Sequence, residues 1–182
     1  MTSVTAIQFQ SKGVTCRGDL YLPDTAGRAP IMVMAHGLGG TRNMRLPAFA
    51  ERFVAEGYGC LLFDYRHFGD SDGEPRQLLD IKKQLQDWKA AIEHARGLAQ
   101  VDPDRVILWG TSFSGGHVLA TAADDPRIAA VISQCPFTDG LASTLATEPL
   151  VSAKLTAKAL RDRLGALVGA APVMVAVAGR PG

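Results

Sequence analysis

Three short stretches hold side chains suited to covalent work. Gly110-Thr111-Ser112-Phe113-Ser114-Gly115-Gly116 sets a serine among glycines and small residues. Ala35-His36-Gly37-Leu38-Gly39-Gly40-Thr41 places a histidine before a glycine-rich bend. Asp64-Tyr65-Arg66-His67-Phe68-Gly69-Asp70-Ser71 mixes charges with aromatic rings. The first is the most informative. An apolar run ends at Trp109 and a helical pattern begins near Phe113, so Ser112 falls on a tight strand-to-helix turn. Such a turn strains the serine backbone and projects its hydroxyl outward, and small neighbours let strand and helix approach closely. The helix start adds unpaired N–H groups and the positive end of the helix dipole, both suited to a developing oxyanion. The chemistry this suggests is nucleophilic attack by a serine hydroxyl. Serine is also a favoured helix N-cap, which gives Ser112 a second, purely structural role to be weighed. The stretch at 37–40 has neither the G-x-G-x-x-G spacing nor the lysine of a phosphate cradle.

The elements that must position these loops read as follows. Val4 to Gln8 and Val14 to Leu22 alternate like two strands joined by a turn at Lys12-Gly13. Ile31 to Ala35, Tyr58 to Phe63, Val106 to Trp109 and Ile128 to Ile132 are almost wholly apolar runs. Runs of that kind suit strands buried on both faces of a parallel sheet. Between them, Asn43 to Glu56 carries Leu46, Phe49, Ala50, Phe53 and Val54 at helical spacing. Asp80 to Arg96 does the same with Ile81, Leu85, Trp88 and Ile92. Helices over Phe113 to Ala123 and Ser152 to Leu164 complete the set. Strands alternating with helices make βαβ units, so the fold class is α/β, a mostly parallel sheet flanked by helices. All three loops follow such strands, where open α/β sheets bind ligands.

Composition narrows the function. Of 182 residues, 19 are Lys or Arg and 18 are Asp or Glu, a net charge of +1, with 47% hydrophobic residues. That balance supplies a core but no basic footprint for nucleic acid and no attraction to an anionic membrane. No apolar run reaches the ~18 residues of a membrane span, and Met1 to Gln10 lacks the pattern of a signal peptide. Three scattered cysteines, Cys16, Cys60 and Cys135, match no disulfide or zinc framework, and Cys60 and Cys135 read as buried, inert thiols. A cytoplasmic protein without cofactor or metal is the expectation, its partner a small acyl substrate.

The Ser112 turn resembles the nucleophile elbow of α/β-hydrolases, with Ser114 where G-x-S-x-G carries its second glycine. The segment from Asp64 is similar to the D-x-R-G-x-G-x-S stretch of the same superfamily, with His67 in place of glycine. From Asp19 to about Asp139 the chain is similar to the hydrolase core, most of all to its bacterial serine esterase and dienelactone-hydrolase-like branch. The resemblance implies Ser112 as an acyl-forming nucleophile acting on an ester, thioester or lactone. It implies the backbone N–H groups of Leu38 and Phe113 as the oxyanion hole. It gives Asp64 and Arg66 a structural role in ordering their turn.

The resemblance also implies an acid and then a histidine, later in the chain than Ser112. The four histidines, His36, His67, His94 and His117, all stand too early. His117 follows Ser112 by five residues, ~7.5 Å and ~500° along a helix, on another face. His94 belongs to a surface helix and reads as solvated. His36 is the base candidate, or the residue that orders the oxyanion loop. Asp139 is the acid candidate, or a turn or helix cap. Phe68, Phe137 and Leu38 line an acyl pocket or belong to the core. Val173 to Ala178 reads as a strand ending in Gly179-Arg180-Pro181-Gly182, either the penultimate strand with its acid lost or part of a cap. The expectation is a hydrolase core over 1–140 and an incomplete region over 141–182, shortened at its C-terminal side. Catalysis would then be impaired, with association possible through an exposed sheet edge.

Overall fold

A computed structural model describes residues 3–177. They fall into two compact units divided between Phe137 and Thr138. The first unit is built on a six-stranded sheet. Its strands are β1 (Ser3–Ser11), β2 (Val14–Leu22), β3 (Ala29–Ala35), β4 (Gly59–Phe63), β5 (Val101–Thr111) and β6 (Ile128–Gln134), in the spatial order β1-β2-β4-β3-β5-β6. β1 and β2 form the antiparallel hairpin expected, with Lys12 and Gly13 both at positive φ, as a tight two-residue turn requires. β2 pairs antiparallel with β4, and β3, β4, β5 and β6 run parallel. β5 extends further back than its apolar run, because Val101 pairs with Ala29 before a register break and the pairing resumes at Val106.

Three helices of this unit connect the parallel strands: α1 (Leu46–Ala55), α2 (Ile81–Arg96) and α3 (Phe113–Asp124). Side chains alternate across the sheet, so each strand feeds two cores. Met32, Met34, Cys60, Leu62 and Trp109 pack with Leu46, Ala50 and Val54 of α1. Ile31, Val33, Leu61, Phe63 and Leu108 pack on the other face with Trp88, Ala91 and Ile92 of α2 and Val118 of α3. α1 and α3 therefore leave β3 and β5 toward opposite faces. The carboxyl ends of these neighbouring strands, where Ala35 pairs with Gly110, form the switch point of the sheet.

α2 differs from expectation in its facing. Ile81 is exposed, and the buried stripe is Gln84, Asp87, Trp88, Ala91, Ile92 and Ala95, so two polar residues share the apolar face. Asp80 caps this helix, its side chain accepting the Lys83 N–H at 3.1 Å.

The second unit holds α4 (Gly140–Leu145) and α5 (Pro149–Ala166). The expected strand over Val173 to Ala178 is corrected: residues 173–177 take no strand pairing, and Val173 N–H instead caps onto the Asp162 carboxylate at 2.8 Å. Ala178 and the Gly179 to Gly182 ending lie outside the described residues. Two further expectations change. Cys135 is exposed, just past β6 and at positive φ, whereas Cys16 and Cys60 are buried with thiols pushed up to about 12, chiefly by desolvation. His94 is half-buried against the Phe9 ring, 5.7 Å between centroids, and burial lowers its proton affinity. No helix among the described residues is long and apolar enough to cross a membrane.

Candidate active site

Ser112 stands between β5 and α3 with φ 56° and ψ −113°. A side-chain-bearing residue is strained there by roughly 1–3 kcal/mol. The strain is held by three backbone bonds. Ser112 N–H donates to Gln134 C=O at 2.9 Å, and Ser112 C=O accepts from Phe137 N–H at 2.8 Å and Gly116 N–H at 3.4 Å. Gly110 is required by closeness, since a Cβ there would collide with the Ser114 carbonyl. The hydroxyl of Ser112 makes no capping bond to its helix, and the residue is exposed. The N-cap role therefore goes unused, leaving the hydroxyl free and outward. Phe113 N–H opens the first turn of α3, where amides have no partner within the helix.

The loop after β3 lies against this turn. A Cβ on Gly37 would sit 3.1 Å from Ser112 Cβ and 3.2 Å from the Thr111 carbonyl oxygen, so a larger residue would crowd the turn. Gly37 C=O accepts from Gly40 N–H at 3.2 Å and faces His36 Nδ1 at 3.0 Å. A trans peptide points its C=O and the following N–H in opposite directions. Holding Gly37 C=O toward the buried histidine therefore turns Leu38 N–H away from it. His36 is 2% exposed, packed edge-on to Tyr65, with Nε2 3.7 Å from Asp64 Oδ1. Burial lowers its proton affinity, against the opposing Gly37 bond and Asp64 charge. The ring is engaged with its own loop and is not hydrogen-bonded to Ser112.

The loop after β4 fastens this end of the sheet. Asp64 is fully buried and accepts from Arg42 N–H at 2.7 Å, from the Arg42 guanidinium, and from Asp70 N–H at 3.3 Å. Arg42 also reaches Asp19 at 2.7 Å and Asp70 at 2.9 Å. Arg66 is held by Asp87 of α2, through Nε at 2.7 Å and its own backbone N–H at 3.0 Å, and donates to the Ser11 hydroxyl at 2.6 Å. Both expected structural residues are thus anchors of the loop. Their partners Arg42 and Asp87 were not foreseen from the sequence; the one signal for Asp87 is its place on the stripe of Trp88 and Ala91. His67, in the position of the motif glycine, adopts φ 72°, the conformation a glycine would take there.

The remaining candidates are placed as follows. Asp139 is the N-cap of α4, its carboxylate accepting from Ala142 N–H at 2.9 Å. Phe68 is buried in the core beside His36, Phe137 is 37% exposed and packs on Phe113, and Leu38 is 47% exposed. His117 points into α2, with Nε2 2.8 Å from Gln84 Oε1, and desolvation pushes it down to about 4. Its unfolded value is near 6.5, so within that window the unfolded chain binds the extra proton. The His117 contribution is complete above about 6.5 and is lost as pH falls toward 4. In His117→Gln, urea unfolding stability is expected to fall less steeply over this window, by up to about 1.4 kcal/mol per pH unit. Parallel slopes for the two proteins would refute the assignment.

A mostly parallel sheet with a strained serine at the switch point, facing a glycine-rich loop, has the architecture of an α/β-hydrolase. The chain belongs to the X-Pro dipeptidyl-peptidase (S15) family, whose pattern it matches over residues 12–167. It is 64% identical over 176 residues to the quorum-quenching protein AidA of Acinetobacter baumannii, covering 97% of this chain and 58% of that protein. It is 40% identical over 125 residues to the thiohydrolase aneE of Aspergillus aculeatus, covering 69% of this chain and 39% of that protein. The crystal structure of the α/β-hydrolase GrgF from Penicillium superposes with a TM-score of 0.79 at 32% identity, covering 92% of this chain and 56% of that one. The chain thus spans little more than half the length of these relatives, or less.

Proposed function

We propose that this protein is a serine hydrolase that cleaves a carboxylic ester, thioester or lactone through an acyl-enzyme on Ser112. The observation that carries the reading is the conformation of Ser112, at φ 56° with an exposed, uncapped hydroxyl beside Gly37. The fold spends strain on that turn, and strain of this kind gathers at functional sites. Relatives named a thiohydrolase and an acyltransferase support acyl chemistry.

In this reading Ser112 Oγ attacks the acyl carbon and a general base takes the hydroxyl proton. The negative oxygen that forms is held by the N–H groups of Leu38 and Phe113. Two preorganised donors of this kind contribute several kcal/mol to lowering the barrier. Collapse expels the alcohol or thiol, and water then releases the acid. His36 serves by turning Leu38 N–H toward the site. None of the four histidines is hydrogen-bonded to Ser112, and the geometry assigns the general base to none of them. Removing the base of a comparable triad costs about a millionfold in kcat. A second reading follows from the same observation: these residues form a hydrolase-fold unit that binds without turnover.

An alkyl fluorophosphonate separates the two. Ser112 Oγ forms a bond to phosphorus, fluoride leaves, and the serine proton passes to a base. Imidazole added to the buffer supplies a base. The expected result is one adduct, located on Ser112 by peptide mass spectrometry, formed faster with imidazole and lost in Ser112→Ala. Folded protein without an adduct on Ser112, with or without imidazole, would sink the enzymatic reading and leave the binding unit.

A further inference from the structure

Ser114 occupies the place where the elbow pattern has its second glycine, and smallness alone does not account for it. The residue is fully buried, and its hydroxyl lies in a chain of hydrogen bonds with only one possible direction. Trp88 Nε1–H donates to Tyr65 Oη at 2.8 Å, Tyr65 Oη is bonded to Ser114 Oγ, and Ser114 Oγ–H donates to His36 C=O at 2.5 Å. An indole nitrogen only donates and a carbonyl only accepts. The two hydroxyl protons between them must therefore both point from Trp88 toward His36. Burial raises the Tyr65 hydroxyl well above its ordinary value, so the phenol keeps its proton and remains a donor.

The chain of bonds runs from α2 through the loop after β4 to the first turn of α3, and from there to the end of β3. Its last link joins two segments distant in sequence. Ser114 directly follows Phe113, and the His36 carbonyl belongs to the peptide before the one that carries Leu38 N–H. We propose that Ser114 is a positioning residue that fixes the separation of the Leu38 and Phe113 amides, with Tyr65 and Trp88 holding its hydroxyl in the donating orientation. The proposal rests on the reading of Ser112 as nucleophile and goes beyond it. A glycine at 114 would keep the turn but leave the His36 carbonyl and the Tyr65 hydroxyl without this partner. The loop could then drift relative to α3, and misplacement of the order of 1 Å costs up to about a hundredfold in rate.

The test measures fluorophosphonate labelling of Ser112 in imidazole buffer, resolved into KI and kinact and normalised to the folded fraction by circular dichroism. Ser114→Ala is expected to lower kinact by about tenfold to a hundredfold with KI unchanged. Tyr65→Phe, which keeps the ring, is expected to lower kinact by a smaller factor. In the Ser114→Ala background it should add nothing, because the link it supports is already gone. A general loosening of the fold would instead reduce the folded fraction or weaken KI, and the two substitutions would add. If Ser114→Ala fails to fold, Tyr65→Phe alone decides. Wild-type kinact in the folded variant, with labelling still lost in Ser112→Ala, would overturn the positioning role alone. Absence of any Ser112 adduct in the unmodified protein would overturn the underlying reading instead.

Discussion

Replacing Asp87 with alanine is expected to lower the unfolding free energy by about 5 kcal/mol, the upper end for breaking a buried ion pair. Asp87 has no exposed surface and takes both the side chain and the backbone N–H of Arg66. With the carboxylate gone, the Arg66 side chain, only 6% exposed, keeps a hydroxyl bond to Ser11 and no counter-charge. A guanidinium left so is far more costly than a missing bond between neutral groups. Domains of this size have only about 5–15 kcal/mol in hand, so the variant should sit near its own unfolding limit. Urea unfolding read by circular dichroism measures the loss. Removing the charge along with its partner, as Asp87→Leu with Arg66→Met, should recover most of it, because the cost lies in the stranded cation. A double variant no more stable than Asp87→Ala would show that the cavity, not the charge, dominates.

Asp64→Ala is expected to cost less, about 3 kcal/mol, although Asp64 is equally buried. The difference lies in what Arg42 retains. Its Nε still meets Asp19 and its second terminal nitrogen still meets Asp70. The same urea titration ranks the two variants, and a larger loss for Asp64→Ala would mean that remaining partners do not set the cost. Asp64 also holds the backbone N–H groups of Arg42 and Asp70, and so ties the loop after β3 to the loop after β4. Labelling of Ser112 should therefore slow in Asp64→Ala even in the fraction that stays folded, whereas Asp87→Ala leaves these two N–H bonds in place.

These two carboxylates mark where sequence reasoning stops. The strands β3, β4 and β5 were legible because burial on both faces demands unbroken apolar runs; β6 carries the same kind of run at the sheet edge, and there the expected burial is corrected, since none of its residues is buried. The turn at Ser112 was legible because Gly110 and the small residues beyond it make sense only at a close strand–helix approach. The contribution of Arg42 was not legible, since its carboxylates come from positions 19, 64 and 70 and meet only after the sheet has formed. Asp87 reads as an ordinary surface residue until the facing of α2 is known, and Ile81, which looks like core, is 52% exposed. Ser114 passed for a small filler because a glycine pattern says nothing about a hydroxyl bonded across 78 residues to His36. Val173 to Val177 misled in the other direction: an apolar run of β-branched residues becomes a strand only where a neighbouring strand accepts it. Cys135 misled because an apolar run also fits an edge position, just past β6, where side chains stay open to solvent.

The bare α-carbon at Gly110 has a longer reach than its size suggests. Because the first turn of α3 rests on main-chain atoms there, the offset between strand end and helix start does not depend on which side chains fill the surrounding cores. Leucines, methionines and aromatics on either face of the sheet can be exchanged over generations, and the cores will shift to suit them. The bend at Ser112 is referenced to the polypeptide itself and keeps its pitch. A lineage of such proteins is thereby free to diversify its packing and its surface while handing on the same presentation of one hydroxyl.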